Sequence, residues 1–144
     1  MSDLIRLCFV TKEFPPETGW GGVGTYFWEL AHGLVAVGCS VDVITYGKSD
    51  RVETVCDNLR VHRHSGSEAL PFYAQALKSI LERFCPTTCR ELVWSWSAWQ
   101  YFQRDLGRID IDLIETAEVY GSGFFFRKGH IPLVVKLHTP FRMA

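Results

Sequence analysis

The sequence predicts an α/β fold built on a parallel β-sheet, and three observations near its start support this. Residues 4–10 form a short apolar run that is typical of a strand buried on both faces. Apolar residues then recur at steps of three and four from Phe27 to Val37, as on one face of a helix. Residues 41–46 are rich in β-branched side chains and predict a second strand. Strand, helix and strand in this order form a right-handed parallel unit.

The first helix is expected to begin on a glycine cluster and to end before Gly38, which suits a left-handed C-terminal cap. Residues 48–57 are polar and predict a loop or a short excursion of the chain. A short strand is expected at residues 59–62, and apolar residues at four-residue steps predict a helix over residues 72–84. Pro86 then breaks the pattern.

The remaining elements continue the alternation of helices and strands. A further helix is expected to start near Thr87 or Thr88 as its N-cap. Residues 109–116 predict a strand, residues 121–126 are expected to open another helix, and residues 131–137 predict a final apolar strand.

Composition predicts one globular domain spanning residues 1–144. The 144 residues are 47% hydrophobic and 22% charged, which is enough apolar material for a real core. The net charge of −1 gives no overall electrostatic reason to expect nucleic acid or an acidic membrane surface as a partner. No apolar run approaches the roughly 20 residues that a membrane span needs.

Cysteine usage favours a reducing, cytoplasmic location. The five cysteines are an odd number, and Asp3 and Arg6 interrupt the segment where a signal peptide would place its apolar region. Cys85 and Cys89 form a C-x3-C pair with no second pair at metal spacing nearby, so we interpret them as structural thiols and expect no metal.

Two aromatic groupings have both a structural and a functional interpretation. His62 and His64 end a predicted strand on the same side and have the spacing for a metal, but no third ligand is evident, so surface histidines are favoured. Trp94, Trp96 and Trp99 have faces on which a sugar ring can stack, yet helical tryptophan clusters more often anchor a core or an interface. The core or interface interpretation is favoured.

The loop between the first strand and the first helix predicts an anion site. Its glycines are Gly19, Gly21, Gly22 and Gly24, and the helix starts on them. Glycine lets a ligand approach the backbone, and the first N–H groups of a helix lack partners and lie at the positive end of its dipole. A phosphate would be held well there. Alternatively, the glycines only make the turn and cap the helix.

The ends of the predicted strands supply further polar groups to the same edge. In parallel sheets, ligands bind outside the carboxyl ends of the strands. Those ends bring residues 11–24, 46–48, 115–120 and 138–139 together. An imidazole, carboxylates and helix N–H groups in one place would hold a phosphorylated or hydroxyl-rich ligand.

Three segments together resemble one enzyme family. They are FVTKEFPPETGWGGVGTYFWELAHGLVAVGCSVDVITYG from residue 9, IDLIETAE from residue 111 and IPLVVKLHTP from residue 131. Their combination is similar to the N-terminal domain of a group 1, retaining glycosyltransferase of the GT-B architecture. The resemblance implies a Rossmann-like parallel sheet with helices on both faces, forming the N-terminal half of that architecture.

The resemblance also implies roles for particular residues. Gly21 and Gly22 would lie at the donor diphosphate or the acceptor pocket, and His138 would lie close to the transferred sugar as the catalytic residue. Glu118 and Thr139 would be substrate-binding neighbours. Such enzymes mostly transfer a sugar from a nucleotide-sugar donor with retention, usually without a bound metal or other cofactor, and bind the nucleotide mainly through their C-terminal domain.

We expect this chain to depart from the family pattern, because the given sequence contains no residues for the C-terminal domain or for the final elements of the N-terminal domain after Ala144. We therefore expect the acceptor side of a cleft, inactive alone, with an exposed face that a homodimer or a complementing chain would cover. A dinucleotide-binding domain fits poorly, because the glycine loop is long and Tyr46 and Gly47 stand where a ribose-binding acid belongs. A non-catalytic binding or assembly module stays open.

Overall fold

The computed structural model describes residues 4–66 and 70–137, which form one α/β layer structure. In chain order the elements are β1 (Arg6–Val10), α1 (Gly22–Ala36), β2 (Ser40–Tyr46), β3 (Arg51–Cys56), β4 (Leu59–His64), α2 (Phe72–Phe84), α3 (Pro86–Tyr101), β5 (Leu113–Ala117) and β6 (Leu133–Lys136). A π-helical turn, Phe102–Leu106, extends α3, and 3-10 turns lie at Val119–Gly121 and Phe126–Lys128.

The strands form one six-stranded sheet in the order β3-β4-β2-β1-β5-β6. Strand β1 is central and pairs in parallel with β2 and β5, so that Val10 lies opposite both Ile44 and Thr116. Only β3 runs antiparallel, along the outer edge of β4. The carboxyl ends of the five parallel strands therefore meet at one edge of the sheet, as the sequence predicts.

Each face of the sheet packs against its own helix. On the face that carries α1, the core is apolar and includes Phe9, Phe27, Val43 and Val61. On the face that carries α3, the apolar core includes Cys8, Ile44, Trp94, Ala98, Phe102 and Ile114. The alternation along each strand, with Val43 on one face and Ile44 on the other, follows from the two-residue period of a strand.

The first βαβ unit confirms the pattern in the sequence. Helix α1 begins at Gly22 behind its cap Gly21 and ends at Ala36. Gly38 has a φ of +93°, the left-handed conformation that glycine adopts most readily, so it ends the helix as predicted.

Three predicted elements are wrong. Residues 51–56 lie within the predicted loop but form edge strand β3, which is almost entirely exposed and therefore accepts polar residues. Residues 121–126 form a tight turn instead of opening a helix, because Gly121 has a φ of +58°, which a right-handed helix excludes. The predicted strand at 109–116 begins only at Leu113, since backbone pairing with β1 starts at that residue.

Helix α3 begins earlier than predicted. Pro86 occupies its first turn and Cys85 is its cap, rather than Thr87 or Thr88. Proline fits this position because its missing N–H has no helical partner there. Pro86 therefore starts the helix that it was expected to precede.

All five cysteines are free thiols, of which Cys8 and Cys89 are buried. Burial, followed by the nearby charge of Asp42, raises the pKa of the Cys8 thiol well above its usual value. Within residues 4–66 and 70–137, no helix is both long and apolar enough to cross a membrane.

Candidate functional site

A cavity of about 410 Å³ opens at the carboxyl edge of the sheet, between the ends of three strands and the first half of α3. The loops after β1 and β4 and the last residue of β2 form one side, and α3 forms the other. The residues that line it are Lys12, Tyr46, Ser65, Gly66, Arg90, Val93 and Trp94. This is the place where parallel α/β folds bind ligands.

Charged groups of both signs border the cavity. The Lys12 ammonium lies 2.5 Å from Oε2 of Glu91, and Arg90 lies 3.5 Å from the other oxygen of the same carboxylate. Lys12 also lies 5.9 Å from the centre of the Trp94 ring, within cation–π range. Glu91 thus accepts a hydrogen bond from Lys12 and fixes the direction of its ammonium group.

Trp94 supplies an aromatic wall and a polar atom. Its side chain is only 4% exposed. Its indole nitrogen is buried and has no hydrogen-bond partner among the described residues. A buried N–H without a partner is costly and uncommon, and among the described residues the indole nitrogen of Trp96 is in the same situation. Gly66, with a φ of +75°, lets the chain pass close to this ring, since a Cβ there would lie 3.3 Å from Cδ1 of Trp94.

His64 links α3 to the sheet below the cavity. Its two ring nitrogens lie 2.6 Å from the Ser97 hydroxyl and 3.1 Å from Oδ2 of Asp50. Burial raises the pKa of Asp50, but the backbone N–H and hydroxyl of Ser65 and the His64 ring outweigh it, so the pKa is lowered. The prediction that His64 is a surface histidine is wrong, because its side chain is fully buried.

His62 is also buried, which contradicts the same prediction. Its ring lies 2.7 Å from Oδ1 of Asp42 and 2.9 Å from the Tyr101 hydroxyl of α3. Burial acts to raise the pKa of Asp42, yet hydrogen bonds from His62 and Arg60 outweigh it and lower the pKa. Burial, more than the neighbouring charges, raises the pKa of Tyr101 to about 12. These histidines are structural, and the described residues contain no group of three metal-ligating side chains.

The glycine loop lies on the α1 side of the same edge. Gly21 and Gly22 are exposed at the start of α1, which has no side-chain cap. A Cβ on Gly21 would lie 3.1 Å from Oε2 of Glu13, whereas a Cβ on Gly22 would meet open space. Gly24 has a structural role, since a Cβ there would lie 2.3 Å from the Gly19 carbonyl oxygen.

Arg63 of β4 holds this loop in place. Its guanidinium is almost fully buried and donates hydrogen bonds to the carbonyl oxygens of Phe14 and Pro15, at 2.8 and 3.1 Å. It also lies near the carboxylates of Glu17 and Glu53, at 3.7 and 3.5 Å. The loop that carries Lys12 and the glycines is thus fixed by a residue far along the chain.

The predicted carboxylates at the end of β5 have different environments. Glu115 is buried and accepts a hydrogen bond of 2.7 Å from the Tyr26 hydroxyl of α1. Burial and this carboxylate raise the pKa of Tyr26 to about 12. Glu118 follows the strand, and its backbone N–H donates to the Lys136 carbonyl of β6 at 3.1 Å.

The structure therefore brings together only part of the predicted site. Gly21, Gly22 and Glu118 share the carboxyl edge, but they do not line the cavity. The other two predicted residues, His138 and Thr139, lie outside the described residues. Sequence reasoning placed Lys12 at this edge only as part of residues 11–24 and did not single out Lys12 or Arg90 as cavity residues.

The prediction that Trp94, Trp96 and Trp99 anchor a core or an interface is confirmed. Trp94 belongs to the core on the α3 face, and Trp99 packs beside it against Phe102 and Phe126, with ring centres 5.9 and 5.1 Å apart. Trp96 meets Phe125 edge to face at 5.1 Å. Trp94 differs from the others in also lining the cavity.

A parallel sheet whose first helix opens on a glycine loop, with a cavity at its carboxyl edge, defines a Rossmann-like ligand-binding domain. A family model described as Glycosyltransferase Family 4 matches residues 20–143, and the chain belongs to this family. The predicted resemblance to the N-terminal domain of a GT-B glycosyltransferase is confirmed.

A solved structure supports the same fold. Sucrose-phosphate synthase from Thermosynechococcus elongatus matches with a TM-score of 0.59 and 17% identity, over 94% of this chain and 33% of that chain. At that identity the likeness concerns the fold alone. The chain spans about one third of the length of this synthase.

A second structure of sucrose-phosphate synthase from the same organism adds no argument about the fold. It matches with a TM-score of 0.31 and 16% identity, over 92% of this chain and 86% of that chain. No curated protein matches the chain.

Proposed function

We propose that this domain forms the acceptor side of a cleft in which a sugar is transferred from a nucleotide-sugar donor. The observation that carries the proposal is the cavity at the carboxyl edge of the sheet, in a domain that belongs to a glycosyltransferase family. A second domain would bind the nucleotide and close the cleft, so this domain alone would be inactive.

The cavity has the chemistry that a hydroxyl-rich acceptor requires. A sugar hydroxyl both donates and accepts hydrogen bonds, and it exposes an apolar C–H face beside them. Lys12 and Arg90 carry N–H donors, Trp94 has a buried indole N–H without a partner among the described residues, and the ring of Tyr46 provides an aromatic surface. An acceptor that fills the cavity would give the indole N–H its missing partner.

The glycine loop would contact the donor or the acceptor from the α1 side. The first N–H groups of α1 lie at the positive end of the helix dipole and have no side-chain cap. Gly22 leaves open space for a diphosphate, while the Glu13 carboxylate beside Gly21 suits a sugar hydroxyl better than a phosphate. These two glycines would thus meet different parts of the substrates.

The remaining proposed residues follow the ends of β5 and β6. His138 would orient the hydroxyls of the transferred sugar and stabilise the charge that develops at its anomeric carbon. Glu118 and Thr139 would bind substrate next to it. We propose these roles from the resemblance to the family.

The binding part of the proposal is tested by saturation-transfer NMR on the chain with glucose, glucose 6-phosphate, UDP-glucose and NAD. We expect a hexose signal that Trp94→Phe weakens by about tenfold, because the variant keeps an aromatic ring and removes the N–H. Trp99→Phe is the matched control, since Trp99 packs in the same core but does not line the cavity. Tight NAD binding would overturn the proposal, and binding of none of the four probes would favour a non-catalytic module.

The catalytic part is tested by adding a C-terminal domain of a family member in trans, with UDP-glucose as donor. We expect turnover only in the mixture, and a loss of at least about a hundredfold for His138→Ala at unchanged circular dichroism. Turnover by the isolated chain would contradict the cleft proposal. Near-normal turnover of the variant would remove His138 from the site.

A further inference from the structure

Trp20 is an exposed tryptophan in the glycine loop, at the carboxyl edge of the sheet. It is 62% exposed, whereas tryptophan is on average one of the more deeply buried residues of folded proteins. Among residues 11–36, all of which the structure describes, it is the one exposed large apolar side chain. A single indole ring presents far less area than a stable protein interface buries, and its size matches that of one sugar ring.

The Trp20 ring is held from one side by the body of the domain. Trp28 of α1 meets it with ring centres 5.6 Å apart and ring planes tilted by 60°. Trp28 is half-buried and packs in turn against Phe14 at 5.5 Å and His32 at 4.3 Å. Trp20 therefore rests on a supported aromatic group, while most of its own surface faces water.

The neighbours of Trp20 along the chain leave its ring uncovered. Gly19 precedes it, and Gly21 and Gly22 follow it, so the adjacent residues have no side chain that could reach over the indole. All three glycines are exposed, and a Cβ on Gly22 would meet open space. A ligand on the ring would therefore also have access to the backbone beside it.

The loop that carries Trp20 has a fixed shape. The Thr18 hydroxyl accepts a hydrogen bond of 2.8 Å from the Phe14 N–H and donates one of 3.1 Å to the Phe14 carbonyl oxygen. The Thr25 hydroxyl of α1 donates to the Trp20 carbonyl oxygen at 3.4 Å. Arg63 holds the same loop from the sheet. A ring that is already held in place loses little conformational entropy when a ligand binds.

The carboxylate of Glu13 lies at the same turn. Its Oε2 would be 3.4 Å from a Cβ on Gly19 and 3.1 Å from a Cβ on Gly21, which are the two residues that flank Trp20. The negative face of an aromatic ring attracts the C–H groups of a sugar ring, and a carboxylate accepts hydrogen bonds from sugar hydroxyls. The same carboxylate would repel a phosphate. The turn therefore suits a neutral sugar.

The turn is close to the cavity at the carboxyl edge. Lys12 lines the cavity, and Glu13 is the next residue of the chain. The side chain of Glu13 reaches the turn at Gly21, so one residue connects the border of the cavity with the turn that carries Trp20. A chain of sugar units that begins in the cavity and runs along this loop would pass over Trp20.

We propose that Trp20 is a stacking platform for one sugar unit of an oligosaccharide acceptor, and that Glu13 accepts hydrogen bonds from the hydroxyls of that unit. This inference rests on the proposed function, in which the reacting end of the acceptor fills the cavity. It names the class of acceptor as an oligosaccharide, with a binding site that extends beyond the cavity along the glycine loop.

NMR titration of the ¹⁵N-labelled chain tests the proposal with glucose, maltopentaose, cellopentaose and mannopentaose. The indole N–H signal of Trp20 is the one that the variant Trp20→Phe lacks. We expect at least one pentasaccharide to shift this signal and to bind on the order of fivefold more tightly than glucose. Trp20→Ala should abolish the gain and leave glucose binding unchanged, whereas Trp20→Phe should keep most of the gain because it retains an aromatic face.

Phe72→Ala is the matched control, since Phe72 is an aromatic residue of α2 that is 87% exposed and does not belong to the glycine loop. It should bind the pentasaccharides as the wild type does, and circular dichroism should be unchanged for all variants. The proposal is overturned if no pentasaccharide binds more tightly than glucose, or if Trp20→Ala retains the gain.

The same titrations distinguish this proposal from the proposed cavity. Glucose binding that Trp94→Phe weakens, without a gain for any pentasaccharide, would support the cavity and refute the stacking platform. A gain that depends on Trp20, with no effect of Trp94→Phe, would support the platform and contradict the cavity. Sedimentation velocity tests the other occupant, because a wild-type dimer that Trp20→Ala abolishes would assign the ring to a second copy and overturn the proposal.

Discussion

On the α1 face of the sheet, Phe9, Phe27 and Val43 form an apolar core. On the α3 face, the core also contains a hydrogen-bond network, in which His62 bonds with Asp42 and Tyr101 and His64 bonds with Ser97. Both sets of residues are equally well buried. Apolar packing tolerates small shifts, but a hydrogen-bond network has one good geometry. We infer that the hydrogen bonds from His62 and His64 fix the position of α3, and with it the cavity wall formed by Arg90 and Trp94.

The largest expected loss of stability follows from a substitution in the apolar core on the α1 face. Phe27→Ala should lower the free energy of unfolding by about 3–5 kcal/mol, since Phe27 is fully buried and packs against Phe9 with ring centres 5.3 Å apart. Urea denaturation measures this change. Phe72→Ala, at a site that is 87% exposed, is the control and should change stability by less than about 0.5 kcal/mol. A small effect of Phe27→Ala would mean that α1 is not held by this core.

The substitution Asp42→Asn should disrupt the hydrogen-bond network on the α3 face, because Arg60 and His62 would then face a neutral amide instead of a carboxylate. We expect a loss of about 2–3 kcal/mol in the free energy of unfolding, below the value for a wholly buried ion pair because Arg60 is partly exposed. The same urea titration measures it. Wild-type stability in the variant would show that the network has no energetic weight.

The contribution of Asp42 to stability should depend on pH, whereas that of the apolar core on the α1 face should not. The pKa of Asp42 is lower in the folded chain than in the unfolded chain, where an aspartate has a pKa of about 3.9. Its contribution is therefore fully present above that value and is lost as the pH falls through the folded pKa. The stability difference between wild type and Asp42→Asn should narrow from pH 7 toward pH 3, while that for Phe27→Ala stays constant. Parallel curves for wild type and Asp42→Asn would contradict the prediction.

The smallest expected change in stability is the difference between alanine substitutions at two glycines of the loop. Gly24→Ala should destabilise the chain by about 1–2 kcal/mol, since its Cβ would lie 2.3 Å from the Gly19 carbonyl oxygen. Gly22→Ala should leave stability within about 0.5 kcal/mol, because its Cβ meets open space. Thermal unfolding of both variants measures the difference. Equal effects would show that Gly22 is also needed for packing.

Local patterns predicted the first βαβ unit because each of its elements carries its own signal. The apolar run of β1, the periodicity of α1 and the glycine at position 38 all lie within a few residues of what they determine. The α/β fold class and the carboxyl edge as the site follow from that unit alone.

The buried histidines of β4 and the cavity could not be predicted, because they depend on contacts between residues far apart in the chain. The sequence of β4 reads as polar, and its histidines are buried only because Asp42, Asp50 and Ser97 come to meet them. The cavity is hidden for the same reason, since Lys12 and Trp94 come from opposite walls. No local period reports such pairings.

Arg63 has a consequence for protein engineering. Its guanidinium fixes the carbonyl groups of Phe14 and Pro15, and Gly47 must be glycine because a Cβ there would lie 2.6 Å from Cβ of Arg63. The shape of the glycine loop therefore depends on residues outside the loop. A graft of residues 11–24 into another scaffold would need the arginine and Gly47 to travel with it, or the transplanted segment would lose its shape.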